Sequence, residues 1–307
     1  MAMYGATVGK LGILGRPMTC NQAACAMIVD PSMGSNRFLF YRLLHDRPAL
    51  INLANGAAQQ NLSGQVIKAF RFPCPPAAEQ RRIADVLGAL DDLIDANRRI
   101  AGHCTALWRA LVGDALAAAA SSVPLSELAD FVNGKNFTNG APGHGRPVIR
   151  TPEVRRGPEA GTVRSDAAAA DGNIAREGDT LFVWSGSLTV GRWMWEESLI
   201  NQHVFKVLPK PGSPAWLVFA LIEYQLPWFL SLAADKATTM GHIKREHLDA
   251  AVPVPSPAEA GRLGRIVEPL WNEALHCGIA AQRLARARDE LLPLLLSGQV
   301  RAGDAAT

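Results

Sequence analysis

Two stretches of this chain carry apolar residues at helical spacing for much longer than an ordinary helix does. From Pro73 to about Ala120, the side chains of Ile83, Val86, Leu87, Leu90, Ile94, Ile100, Leu107 and Leu111 fall along one side of a single helix. A helix from Ala77 to Ala119, rising 1.5 Å per residue, is roughly 60 Å long, more than a domain of this size needs to cover its core. A second such helix is predicted from about Ala258 to Leu296, with Leu263, Ile266, Val267, Leu270, Leu284, Leu291, Leu292 and Leu295 as its apolar side. Pro269 and Pro293 are the places where it would kink or stop. Two amphipathic helices of matched length most simply bury their stripes against each other as an antiparallel pair. Such a pair predicts a rod with a globular unit at each end.

The chain before and between these helices repeats itself. Met3-Tyr-Gly-Ala-Thr-Val-Gly-Lys10 parallels Val183-Trp-Ser-Gly-Ser-Leu-Thr-Val-Gly-Arg192, and Cys20-Asn-Gln22 parallels Ile200-Asn-Gln202. The helical piece at Phe38–Leu44 parallels Phe219–Tyr224, the polar loop at Gln59 parallels Ala237–Ile243, and Phe72-Pro-Cys-Pro-Pro76 parallels Val252-Pro-Val-Pro-Ser-Pro257. A period of this size means a duplicated domain rather than a solenoid. Strands are predicted at Cys20–Val29, at Ala69–Phe72 and around Gly178–Trp184. The second copy has an extra segment, Ser121–Thr180, ahead of its first shared strand, whereas only Met1 and Ala2 stand ahead of the equivalent strand in the first. The first copy is therefore expected to lack its front half and to expose sheet edges.

Composition narrows the class without naming it. The chain has 307 residues, enough for two domains with connecting helices, and 48% of them are apolar, enough for real cores. No run of 18 apolar residues occurs, and the opening residues have no signal-peptide pattern, so a cytoplasmic protein that does not use a membrane is expected. Five scattered cysteines with no CxxC pair support neither a disulfide framework nor a zinc site. The net charge of +3 is unevenly spread: residues 1–75 hold seven Lys/Arg against two Asp/Glu. That distribution allows a polyanionic partner without demanding one.

A search for catalysis returns nothing credible. Gly5-Ala-Thr-Val-Gly9-Lys10 has three residues between its glycines where a phosphate loop needs four, and Leu11 stands where a hydroxyl should be. His242-Ile-Lys-Arg-Glu-His247 lacks the HExxH spacing that puts two imidazoles on one helix face. No GxSxG elbow or GxGxxG fingerprint appears. Neither a catalytic residue nor a metal ligand is assigned. Polar and basic loops are present instead: Lys135, Asn136, Arg150, Arg155, Arg156, Ser185, Ser187, Arg192, Thr238, Thr239, His242, Lys244 and Arg245, with Trp184, Trp193 and Trp195 nearby. In the first copy the matching candidates are Lys10, Gln59, Gln60 and Asn61. Such side chains suit phosphate contact and major-groove readout, and each is as readily a solvated surface residue. Residues identical in both copies, among them Asn21/Asn201 and Gln22/Gln202, are assigned to the fold that the copies share, and the loops that differ to whatever distinguishes the copies.

The run PPAAEQRRIADVLGALDDLID after a proline-ended strand, together with the twofold order Thr-Val-Gly, Asn-Gln, loop, Pro-x-Pro, helix, resembles the specificity subunit of type I restriction-modification systems. The closing Leu294-Leu-Leu-Ser-Gly-Gln-Val300 is similar to that family's usual ending. The resemblance implies an α+β fold with two target-recognition domains, the first incomplete, separated by two long antiparallel helices that form a coiled-coil-like spacer. The divisions it implies are 1–75 (partial first recognition domain), 76–120 (first helix), 121–256 (second recognition domain), 257–300 (second helix) and 301–307 (tail). It implies a non-catalytic subunit that directs partners to a bipartite site on double-stranded DNA. Those partners are two methyltransferase subunits and a restriction/translocase subunit, and they would hold the S-adenosylmethionine, Mg and ATP. Helix pairing or partner docking is assigned to Ile83, Leu87, Leu90, Ile94, Leu107, Leu263, Ile266, Leu270 and Leu291. Two departures stand out: Ala260 replaces the counterpart of Gln80, and the missing front suggests a truncated copy. The alternative is an assembly or decoy protein that binds methyltransferase subunits without full DNA specificity.

Overall fold

The computed structural model describes residues 1–54, 61–234 and 241–303. Its helices begin with α1 (Asn36–His45), α2 (Arg47–Asn52), α3 (Gly64–Ala69) and the long α4 (Ala77–Ala117). There follow β1 (Ser121–Pro124), α5 (Leu125–Leu128), β2 (Ala129–Asn133), β3 (Arg146–Ile149), α6 (Thr151–Arg156), β4 (Arg164–Ser165) and β5 (Ile174–Ala175). The chain continues through β6 (Thr180–Val183), β7 (Thr189–Arg192), β8 (Ser198–Ile200), β9 (Val204–Pro209), α7 (Ala215–Ala234), β10 (Ala251–Val254) and the long α8 (Pro257–Ser297). Both long helices have 41 residues. The chain divides into two compact units, Met1–Asp95 with Arg283–Thr307 (unit 1) and Ala96–Gln282 (unit 2), so the division falls inside α4 and α8.

In unit 1 the apolar seam of α4 is formed by Ile83, Ala84 and Leu87, which cluster with Phe38 and Tyr41 of α1 and with Leu292 and Leu295 of α8. Ile94 is also buried, and Leu90 and Leu291 are half-buried. The polar ends of this seam are tied together. Tyr41 Oη donates to Asp91 Oδ2 at 2.5 Å and Arg288 donates to Asp91 Oδ1 at 2.6 Å. Burial, and then the bond to Asp91, pushes the Tyr41 phenol above its ordinary value of 10.0. A phenol that resists ionisation in the folded state adds stability that is fully present below its ordinary pKa and is lost as pH rises beyond it. Denaturation measured at rising pH is expected to show unit 1 weakening above about pH 10, and Tyr41→Phe is expected to remove that alkaline step.

Unit 2 is built on a four-stranded antiparallel sheet, ordered β2-β9-β6-β7, and a second four-stranded sheet, ordered β4-β3-β8-β5. A two-stranded β1–β10 ladder joins the start of the unit to its end. The first sheet packs on α7 through Phe131, Phe182, Phe205 and Phe229. By length and composition α7 could cross a membrane, but its residues from Trp216 to Ile222 are all buried in this core. On the helix pair, Trp108, Val112 and Leu116 of α4 join Leu263, Val267 and Trp271 of α8 in the same core.

Several expectations need correction. Leu107 and Ile266, assigned to helix pairing, are 51% and 48% exposed, and Ile100 is 45% exposed. The seam runs instead through Trp108 and Val267, their neighbours in sequence. It continues from Ile94 through Ala101 to Trp108, one residue every two turns, and the small Ala101 hid the phase that Ile100 and Leu107 only mimic. Leu107→Lys is therefore expected to change stability by no more than about 0.5 kcal/mol, as read from a urea titration. Pro269 and Pro293 do not interrupt α8. Both lie on its exposed face, as do Arg265 and Asp289, whose carbonyls they leave without a helix partner.

Neither predicted strand in unit 1 forms. Cys20–Val29 contributes a single bridge, Ala2↔Ala24, and Ala69 closes α3 while Phe70–Phe72 stays irregular. Strands need partners, and among the described residues no second ladder reaches either stretch.

Candidate nucleic-acid interface

The register of the first sheet gathers four strand ends in one place. β6 and β7 pair with Val183 opposite Thr189, β6 and β9 with Val183 opposite Val204, and β2 and β9 with Asn133 opposite Phe205. The C-terminal ends of β2 and β6 therefore adjoin the N-terminal ends of β7 and β9. The residues that leave these ends are 134–145, 184–188 and 201–203. Ser185 bridges to His242, which brings the segment from Gly241 to Lys244 to the same end.

Close backbone packing fixes this end. Gly134 N donates to Val204 O and Lys135 N to Ile200 O, each at 3.0 Å. A Cβ at position 134 would overlap the carbonyls of Ile200 and Asn201, so only glycine lets the chain pass there. The Lys135 side chain that follows is exposed. Asn136 Oδ1 accepts from Thr138 N, Thr138 Oγ1 and Asn139 N, which spends the side chain on its own turn. Trp184 is anchored through Nε1 to Asn133 Oδ1 at 3.0 Å. Its ring lies 5.7 Å from that of His203, 5.7 Å from Phe205 and 6.4 Å from His242. Gln202 Nε2 sits 3.4 Å from His203 Nε2, and both side chains are exposed.

The sequence candidates thus separate. Lys135, Asn136, Ser185, Ser187, His242 and Lys244 belong to the loops at this end. Arg245 spends its guanidinium on the carbonyl of Phe131. Arg192 lies at the far end of β7, opposite Thr180, where it donates to Trp271 O and stacks over that ring. Burial without a carboxylate partner pushes its pKa down to about 10. Arg155 and Arg156 end α6, and Arg155 lines the 600 Å³ cleft that also holds Arg192, so these cations form a different surface. Arg150 caps α6 together with Glu153. Burial opposes ionisation of Glu153, but the Arg150 bonds outweigh it and hold the carboxyl below its ordinary value. Thr238 and Thr239, like Gln59 and Gln60, lie outside the described residues. Asn61 is exposed and bridges to Tyr4 as His242 bridges to Ser185, and Lys10 is exposed.

Gln202 and His203, exposed at the same end, are not among the sequence candidates. Asn201 and Gln202 were read together as scaffold because the pair recurs, yet Asn201 is buried and Gln202 exposed. His203 was passed over because nothing in its local sequence marks it.

Residues 1–101 match the model of the type I restriction modification DNA specificity domain. That stretch is similar to this family. The specificity-domain match covers the unit 1 residues up to Asp95 and stops inside α4. A putative type I restriction enzyme specificity subunit from Methanocaldococcus jannaschii is 29% identical over 94 residues, covering 31% of this chain and 22% of that protein. The chain thus spans about a fifth of the length of that relative. The crystal structure of the type I restriction-modification S subunit from M. genitalium superposes with a TM-score of 0.61 at 19% identity, over 96% of this chain and 81% of that one. At that identity the likeness is one of fold: α+β, with two long helices that pair in opposite directions, Asp91 meeting Arg288 and Trp108 meeting Trp271.

Proposed function

We propose that this chain is the DNA sequence-recognition subunit of a type I restriction-modification complex, and that the loop end of the first sheet in unit 2 is its reading surface. The observation that carries the reading is that His203 and His242 flank an indole fixed by Asn133, at the loop end that also bears Lys135, Gln202 and Lys244, the last in an exposed ion pair with Glu246. Lys135 and Lys244 supply phosphate contacts that position the duplex. Gln202 has the planar donor and acceptor pair that reads adenine in the major groove, and the histidine rings are donors for guanine. The Trp184 ring meets the rings of His203 and His242.

In this reading the chain catalyses nothing. Methyltransferase and restriction subunits carry the chemistry and bind S-adenosylmethionine, Mg and ATP, while the subunit directs them to a bipartite site. Ile100, Leu107 and Ile266, exposed on the long helices of unit 2, are apolar contacts on which a partner subunit can dock. The test is co-expression with the methyltransferase subunits followed by mapping of methylated adenines across a genome. A split motif with salt-sensitive binding to its duplex is expected. A complex that forms but methylates no motif would instead favour the assembly role.

A further inference from the structure

We propose that the cleft in unit 2 where the chain passes from β10 into α8 binds a primary carboxamide, carried as a glutamine side chain by a partner polypeptide. The inference does not depend on the DNA reading, since it rests on two equivalent places within this chain that differ at one residue.

The two long helices start alike. Gln80 N donates to Pro76 O at 3.1 Å and Ala260 N to Ser256 O at 2.8 Å. Each first turn carries the same ion pair, Glu79 with Arg82 and Glu259 with Arg262. In unit 1 the space beside this turn is filled by a carboxamide. Gln80 Nε2 donates to Pro75 O at 2.9 Å and to Met33 O at 3.3 Å, with Cys74 Sγ at 3.1 Å, and the residue is 3% exposed. One amide thereby ties the start of α4 both to its proline-rich entry and to the turn that precedes α1.

In unit 2 the equivalent place is open. Val254, Pro255, Ala260 and Ser213 stand 180 residues after Cys74, Pro75, Gln80 and Met33, and all four line one cavity of 710 Å³. Alanine has no donor to offer the backbone there. A polar group in the cavity wall also lacks a partner: Trp216 is 1% exposed, and its Nε1 is buried with no hydrogen bond among the described residues. That nitrogen lies 4.0 Å from where a Cβ on Gly264 would stand, one turn along α8 from Ala260 and on the same side of the helix. A buried N–H without an acceptor is costly, so a ligand that brings one gains by it.

These groups define the ligand. Backbone carbonyls call for a donor and the indole for an acceptor, and a primary carboxamide supplies both from one end. A carboxylate has no donor, and an ammonium or guanidinium has no acceptor. The cavity is much larger than an amide, and Leu128 and Pro214 add apolar walls to it, which suits an amide carried on a polypeptide with apolar neighbours.

The Trp216 indole N–H resonance of the full chain, isotope-labelled at its indole nitrogens and assigned by its loss in Trp216→Phe, provides the test. N-acetyl-glutamine methylamide is the probe, and N-acetyl-leucine methylamide is the control of similar size without the side-chain amide. The glutamine probe is expected to shift the resonance saturably and to bind at least about tenfold more tightly than the leucine probe. Ala260→Gln supplies the carboxamide from the chain itself. It is expected to shift the same resonance with no probe present and to weaken binding of the glutamine probe at least about tenfold. No saturable shift, equal affinity for the two probes, or undiminished binding to folded Ala260→Gln would overturn the proposal. So would propionamide binding as tightly as the glutamine probe, because the ligand would then be a small free amide. The comparison of probes needs no variant, so it remains decisive if Ala260→Gln does not fold.

Discussion

Trp271→Ala is expected to destabilise unit 2 by about 3–5 kcal/mol, a large part of the roughly 5–15 kcal/mol that holds an ordinary domain together. The size of the effect follows from what the ring touches. Trp271 is 4% exposed. The rings of Trp108 and Phe219 meet it edge-on, with centroids at 5.1 and 5.0 Å, and the Arg192 guanidinium carbon lies 3.8 Å from its centre. Alanine removes two aromatic contacts and one cation–π contact at once, and it leaves a half-buried cation over an empty space. Trp271→Phe keeps part of the aromatic packing and is expected to cost less than half as much. Urea denaturation followed by far-ultraviolet circular dichroism measures both. A double-mutant cycle with Arg192→Met isolates the stack, for which about 1 kcal/mol of coupling is expected at a half-buried cation that lines an open cleft.

The second large effect is expected in DNA binding. Gln202→Ala and His203→Ala should each weaken binding to the cognate duplex by about 1–3 kcal/mol, or about ten- to a hundredfold, while binding to unrelated duplex changes little. Lys135→Ala should weaken both, and should reduce the slope of log affinity against log salt by about one. The difference in pattern separates a base contact from a phosphate contact. Equal losses on every sequence for Gln202→Ala would remove it from the reading set. None of the three side chains is buried, and Lys135 is held in place by its backbone bond to Ile200 rather than by its side chain. Folding is therefore expected to be unaffected.

The sequence made some of this legible for identifiable physical reasons. The long helices announced themselves because large apolar residues recur with the helical period and both helices follow prolines. The internal repeat was legible because its Thr-Val-Gly and Asn-Gln marks recur in the same order, at offsets of 182 and 180 residues. The phase of the α4 seam was not, since small residues such as Ala101 carry it where larger ones lie off it. The strands at Cys20–Val29 and Ala69–Phe72 were misread because strand propensity is local whereas a strand exists only beside a partner. The proposed reading surface was half legible. Lys135, Ser185 and His242 stand in polar loops, but Gln202 and His203 gain their meaning from a register that only the folded sheets reveal.

The discontinuity of unit 1 reverses the order of assembly relative to the order of synthesis. Met1–Asp95 packs with Arg283–Thr307, so the buried cluster of Phe38, Ile83 and Leu87 waits for Leu292 and Leu295. Unit 2 is one uninterrupted stretch, Ala96–Gln282, and has all of its core once that stretch has left the ribosome. The later-encoded unit can finish first, and the earliest residues made are among the last to settle. Until Leu292 and Leu295 arrive, the apolar side chains of that cluster have an uncovered face.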